Sequence, residues 1–286
     1  MDPRVALEST VIAHGLPAPA NHDTALRLEA LVRAEGVAPR TIGILDGEVQ
    51  TALTDAQIRH LATADDVRKV SLRDLPVVTA RAEDGATTVA ATMHLAHRAG
   101  IAVMATGGIG GVHRRADGAP SRDESADLEA LRRIPMTVVC SGPKSVLDLA
   151  ATRERLESYG VTVVGYRTDT MPAFYSRSSD RPVDVRCDSP AEVARLVDAR
   201  ERLDLRAAIL VTVPPPADAA LPRSALDPVI EEALADAAER SLRAAAVTPF
   251  LLRRLREMLG EQIVAANRAL LRRNARVAAR IAAAVD

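Results

Sequence analysis

Lysine is nearly absent from this chain: 35 arginines stand against two lysines, Lys69 and Lys144. Arginine serves as a surface cation but keeps its proton, whereas a lysine amine can lose one and attack a carbonyl. Two lysines kept in such a background are therefore candidates for chemistry. Lys144 lies in VVCSGPKSVLD, past an apolar strand, and the pattern predicts a helix opening at that residue and running over Lys144–Tyr159. A lysine at a helix start meets the positive end of the dipole, which disfavours its charged form. The carboxyl edge of parallel strands is also where α/β proteins place ligands.

Other segments carry acid, base or anion-binding groups. Glu8 ends the first apolar strand in VALESTV and is suited to general acid or base work, or is a plain polar residue at a strand end. The glycine-dense TGGIGGVH, Thr106 to His113, follows a strand and offers backbone amides to a phosphate, unless it is simply a tight turn. It is no dinucleotide fingerprint, because His113 stands where the third glycine belongs. GATTV, ending in Thr88 and Val89, reads as an anion site or as a helix N-cap. In DESADLEAL, capping accounts for Ser125, and Asp127 fits either a first-turn dipole partner or a ligand of loosely held Mg²⁺ or Mn²⁺. The six histidines show no zinc spacing.

These residues need a frame. Strands are predicted at Val5–Ser9, Thr41–Asp46, Arg68–Ser71, Ile101–Thr106, Met136–Cys140, Val161–Tyr166 and Ala207–Val213. Helices are predicted at Asp23–Glu35, Asp55–Ala62, Ala86–Ala99, Ser125–Arg133, Lys144–Tyr159 and Pro190–Leu203. Runs such as ILVTV are apolar throughout, as in strands covered on both faces. The expectation is an α/β fold: three layers, α/β/α, with a mainly parallel central sheet and right-handed crossovers. The chain reads as one domain over 1–286, with a C-terminal helical layer over about 224–286, broken near Thr248-Pro249 and near Gly260.

Composition excludes several classes. Net charge is -1, no apolar run reaches the roughly 18 residues of a membrane span, and no export signal opens the sequence. Tryptophan is absent and Phe plus Tyr number only five, which argues against stacking on single-stranded nucleic acid. Cys140 and Cys187 have no metal or disulfide pattern and fit reduced thiols in a cytoplasmic protein. Neither nucleic acid nor membrane is expected as a partner.

Seven blocks occur in order: VALESTVIAHGLPAP, VRKVSLRDLP, DGATTVAATMHLA, ATGGIGGVHR, ESADL, TVVCSGPKSVLD and VTPFLL. Together they resemble the pseudouridine-5′-phosphate glycosidases, from residue 5 almost to the C-terminus. The resemblance implies Lys144 as the nucleophile, Glu8 as the proton donor and Lys69 as a contact to the sugar phosphate. It implies Thr88, Val89 and Ser125 as substrate contacts and Asp127 as a ligand of Mn²⁺ or another divalent cation. His113 and Asn267 match further pocket positions, and homotrimers are the family's assembly. A C-glycoside has no heteroatom leaving group, so the two-carboxylate scheme of ordinary glycosidases does not transfer. The family route opens the ribose ring and forms an imine between Lys144 and C1 of ribose 5-phosphate.

The chain departs from the family in VTVPPP, where an Asn-Pro is usual, and in Arg-Ala-Ala-Ala before TPFLL, where a Gly-Lys is usual. SGPKS also differs from the commoner alanine-containing version. The sugar-handling positions are kept, and the departures fall where the base end is expected. Pseudouridine-5′-phosphate glycosidase is the first reading. The same imine run backwards, a C-glycosynthase joining ribose 5-phosphate to an aromatic polyketide, is the second and predicts a wider, more apolar base pocket. A non-catalytic phosphosugar-binding protein is the third.

Overall fold

The computed structural model describes residues 2–115, 121–240, 242 and 247–285. The chain begins with β1 (Arg4–Leu7), one π-helical turn over Val11–Gly15, α1 (Ala20–Ala34) and β2 (Ala38–Thr41). β3 (Gly43–Leu45), β4 (Glu48–Gln50), α2 (Asp55–Thr63), β5 (Arg68–Val70), α3 (Leu75–Ala80) and β6 (Gly85–Thr87) follow. Next come α4 (Val89–Arg98), β7 (Val103–Ala105), β8 (Val112–His113), α5 (Ala126–Arg133), β9 (Thr137–Cys140) and β10 (Leu147–Asp148). The remainder is α6 (Leu149–Ser158), β11 (Thr162–Tyr166), β12 (Val185–Cys187), α7 (Pro190–Arg202), β13 (Ile209–Thr212), α8 (Arg223–Glu239), α9 (Val247–Leu259) and α10 (Glu261–Ala282).

Seven strands form one sheet in the order β12-β11-β13-β9-β7-β1-β2, and every pairing in it is parallel. Alternate residues of each strand belong to opposite cores, as the pleat requires. Val5, Leu7, Val103, Val139, Val164 and Val211 pack with side chains of α1, α7 and α10. Ala6, Met104, Val138, Val163 and Leu210 face Met93, Leu131 and Leu156 of α4, α5 and α6. This is the expected three-layer architecture, and β9 and β13 are buried at every residue. Each large aliphatic side chain so placed contributes about 1.5–3 kcal/mol relative to exposure.

The sequence reading missed a second sheet, β4-β3-β6-β5, which is mostly antiparallel. The stretch predicted as one strand over Thr41–Asp46 is divided: β2 ends in the large sheet, and β3 starts the small one beyond the fully buried Ile42. Asp46-Gly47, both at positive φ, makes the two-residue hairpin turn from β3 to β4, a strong turn signal. Ala86 and Thr87, predicted as the start of a helix over Ala86–Ala99, belong to strand β6 (Gly85–Thr87) instead, and the helix starts at Val89.

At the C-terminal end, α9 and α10 are separated at Gly260, as expected, where φ is +56°. The other expected break falls earlier than Thr248-Pro249, which lie in the first turn of α9. The Arg-Ala-Ala-Ala departure, residues 243–246, lies outside the described residues. Among the described residues no helix is long and apolar enough to cross a membrane, and both cysteines are buried and free.

Candidate active site

Chain order reverses direction in the sheet between β1 and β7, with β2 on one side of β1 and β7 on the other. Such a switch point leaves a crevice at the carboxyl ends of the strands. A cavity of about 520 Å³ opens there, lined by residues following β1, β5, β7 and β9. Glu8, Lys69, Lys144 and Asp127 all line it. So do Thr88, Val89, His113, Ser125 and Asn267, so every site residue expected from the sequence reaches one cavity.

Glu8 follows β1 directly and is half-buried. Its two carboxylate oxygens accept hydrogen bonds from different hydroxyls, Thr106 on Oε1 and Thr10 on Oε2. Thr106 follows β7 and Thr10 precedes the π-helical turn, so the acid is clamped between neighbouring strand ends. Neither threonine was singled out in the sequence, although Thr10 stands two residues past Glu8 in EST.

Lys144 is not at a helix start. The chain after β9 runs through a turn and then β10, and α6 begins only at Leu149, capped by Asp148 through Ala151 N at 3.0 Å. The dipole argument for this lysine therefore fails. What holds Lys144 is backbone pairing with the glycine loop: Lys144 N donates to Ile109 O at 3.1 Å, and Ile109 N to Gly142 O at 3.1 Å. Ser141 N donates to Gly107 O at 2.9 Å, and β10 pairs with β8, setting Leu147 opposite His113. Gly142 sits at φ +82° with Pro172 O where a Cβ would be, so only glycine fits.

Lys69 is exposed to the cavity space, yet the surrounding walls thin its solvation. That desolvation pushes its amine below the ordinary lysine range; the charge of Lys144 adds to the effect, while Asp127 and Glu8 oppose it. The two lysines and two carboxylates therefore share one electrostatic neighbourhood. His14, missed in the sequence, also lines the cavity; desolvation and then Lys69 hold its imidazole below its usual range.

The glycine loop is a packing joint more than an open phosphate cradle. Its Gly110 amide donates to Asp127 Oδ2 at 2.8 Å, and Val112 N donates to Thr152 Oγ1 at 3.0 Å. A Cβ on Gly110 would lie 2.2 Å from Ser125 Oγ. Thr88 and Ser125 are helix caps, accepting from Ala91 N at 3.4 Å and Asp127 N at 3.2 Å, and both also face the cavity. Asp127, 5% exposed, accepts a second amide, that of Ala90, on Oδ1 at 3.0 Å. Both of its oxygens are thus committed to aligning the glycine loop and α4. Asp123 stands nearby with its Oδ2 3.1 Å from His113 Nδ1. Among the described residues no three His, Cys, Asp or Glu side chains gather as metal ligands. A divalent cation on Asp127 would be held by that one carboxylate and water, through the lone pairs the two amides leave, and no step is routed through one.

Much of the remaining cavity wall is apolar and adjoins the glycine loop, with Phe174 and Leu271 packed against Gly107. Leu16, Phe174, Tyr175, Ile263, Val264 and Leu271 line it and belong to one contiguous core cluster, with Leu252 packed against them. Phe174 and Tyr175 meet edge-on at 4.5 Å between centroids, and Phe174 N donates to Ser141 O at 2.8 Å. Arg256 stands at the rim, its Nη2 donating to Gly15 O at 3.1 Å. VTVPPP, one of the two departures among the described residues, contributes no lining residue, whereas SGPKS contributes Lys144; helices α9 and α10 and the Phe174-Tyr175 pair shape the apolar wall.

Comparison with known proteins places the chain among close relatives. A pseudouridine-5′-phosphate glycosidase of Rhodospirillum centenum is 53% identical over 282 residues, covering 99% of this chain and 87% of the relative. One from Herpetosiphon aurantiacus is 51% identical over 284 residues, covering 99% and 93%. The prealnumycin C-glycosynthase AlnA, solved in complex with ribulose 5-phosphate, superposes with TM-score 0.91 at 40% identity, covering 99% of this chain and 91% of that one. An indigoidine synthase A (IdgA)-like protein of Thermotoga maritima superposes with TM-score 0.90 at 34% identity, covering 98% and 92%. The family model for indigoidine synthase A like proteins matches residues 1–284, and the chain belongs to that family.

Proposed function

We propose that this protein makes and breaks the carbon–carbon bond at C1 of ribose 5-phosphate through an imine on Lys144, with pseudouridine 5′-phosphate as the substrate cleaved. The observation that carries the reading is the convergence of Glu8, Lys69 and Lys144, two of them the chain's only lysines, on one cavity at the switch point. Relatives about half identical carry the same activity in their names.

The reaction follows from these groups. Glu8 gives a proton to the ribose ring oxygen as the C1–O bond breaks and the sugar opens. The Lys144 amine, in its neutral form, bonds to C1 and passes a proton back to the Glu8 carboxylate, which leaves nitrogen with a free lone pair. Its lone pair then forms the C=N bond while the C1–ring bond breaks. That bond's electron pair passes to the ring carbon, which takes up a proton and leaves as uracil. Water adds to the imine, releasing ribose 5-phosphate and the free amine. Lys69, with Arg73 at the cavity rim, supplies positive charge for the phosphate. Thr10 and Thr106 keep the Glu8 carboxyl aimed across the cavity.

The test is uracil release from pseudouridine 5′-phosphate, followed by the loss of product in Lys144→Ala. Release by the wild-type protein and none by the variant supports the reading. A wild-type protein that turns over nothing, with ribose 5-phosphate and uracil giving no reverse reaction, contradicts it. The apolar wall favours a second reading, C-glycosylation of an aromatic acceptor, because uracil has polar edges that such a wall leaves unpaired. That reading is scored by C-glycoside formation from ribose 5-phosphate and a hydroxylated polycyclic arene. A cytoplasmic location and a homotrimer belong to the same proposal. Two buried, free thiols support the first and the family resemblance the second; sedimentation tests the trimer.

A further inference from the structure

Asn274 on α10 is fully buried and outside the cavity lining. Buried amides are expensive unless paired, and this one joins two loops far apart in sequence. Its Nδ2 donates to Thr106 O at 2.9 Å and reaches Gly107 O at 3.4 Å. On the other side its amide meets Ser141 Oγ, 3.2 Å from Oδ1 and 3.1 Å from Nδ2. Thr106 is the residue whose hydroxyl clamps Glu8, and Ser141 opens the turn that carries Lys144. Leu271 and Asn267, one and two turns earlier on α10, line the cavity. The helix that supplies the apolar end thus also reaches behind the two polar loops.

We infer that Asn274 is a positioning residue for the imine chemistry: it fixes the Glu8 clamp and the Lys144 turn relative to one another. The inference rests on the lysine-imine reading but not on the identity of the ring. The glycine loop and the lysine turn already share backbone bonds from Gly107 to Lys144. Asn274 is the described side chain that bonds to both at the edge nearest Glu8. Losing it leaves both groups present and the phosphate site untouched, while their relative placement loosens. Misplacement of about 1 Å in a reacting pair costs roughly 100-fold in rate.

The experiment follows imine formation with ribose 5-phosphate by borohydride trapping and mass spectrometry over a range of sugar concentrations. It uses Asn274→Asp, which keeps shape but exchanges the amide donor for an acceptor, Asn274→Ala and Ser141→Ala. The expected result is a trapping plateau about 100-fold lower for the Asn274 variants and about tenfold lower for Ser141→Ala. The half-saturating sugar concentration should stay within about threefold, and circular dichroism should show the fold retained. A plateau within about threefold of wild type in folded Asn274 variants overturns the inference. So does a higher half-saturation with an unchanged plateau, which would mark a binding role. If the Asn274 variants do not fold, Ser141→Ala decides alone, and an unchanged plateau overturns the inference. Wild-type trapping reports on the imine reading itself, and the ratio of variant to wild type reports on Asn274.

Discussion

The two ends of the cavity are built differently. The polar end stands on strand ends and glycine turns, where backbone pairing and buried acceptors hold Glu8, Lys144 and Asp127 from several directions. The apolar end stands on helix faces and one aromatic pair, where aliphatic side chains present shape and no hydrogen bond. The contrast teaches where change is tolerated. Moving a strand end disturbs a hydrogen-bond network, whereas trading a cavity-lining aliphatic side chain of α9 or α10 changes chiefly the volume beside it. In the proposed reading the chemistry at C1 is therefore tied to the fold, and the ring is selected beside α9 and α10.

Substitutions can break or sharpen this division. Lys144→Ala removes the imine and should lower turnover by at least about 10⁴-fold with the fold intact, as steady-state assays and circular dichroism would check. Glu8→Gln keeps one threonine hydroxyl on its oxygen, makes the other accept from its amide and removes the acidic proton, so kcat should fall about 10²–10⁴-fold. Lys69→Met should raise KM for phosphate-bearing substrates by more than it lowers kcat. It should also raise Tm at neutral pH. Lys69 titrates below the ordinary 10.5 in the folded protein, so the unfolded chain holds more protons between the folded value and 10.5. Wild-type stability thus rises with pH across that window, and below it the poorly solvated charge is a constant cost. The Tm advantage of Lys69→Met should shrink as pH approaches 10.5; an advantage that grows with pH would contradict the assignment.

The smallest effects belong to the apolar end. Ile263→Ser or Leu271→Ala should change the ratio of kcat/KM between uracil and a bulky aromatic ring by roughly tenfold. Borohydride trapping with ribose 5-phosphate should barely move. Equal losses in both assays would erase the distinction between the two ends.

Much of this was legible from the chain alone, and for physical reasons. Strands buried on both faces are apolar throughout, so β9 and β13 announced a covered parallel sheet. Lys69 and Lys144 stood out against arginine. What the sequence hid depends on long-range contact. Thr106 and Glu8 are 98 positions apart, and no local pattern joins a threonine to a distant carboxylate. Asn274 sits in LLRRNARVAAR as one polar residue among many on an amphipathic helix. The sequence over Lys144–Tyr159 reads as helix from its first residue, yet pairing with β8 holds Leu147-Asp148 extended. Asp127 reads locally as a first-turn acid; only the fold shows two amides on its carboxylate.

The central claim is a covalent bond between Lys144 and C1 of ribose 5-phosphate. Reducing the protein with borohydride in the presence of ribose 5-phosphate, then mapping the adduct by peptide mass spectrometry, tests it most directly. One sugar phosphate per chain is expected, carried on Lys144 and absent from Lys144→Ala. An adduct on Lys69 alone, or no adduct at saturating sugar, would contradict it.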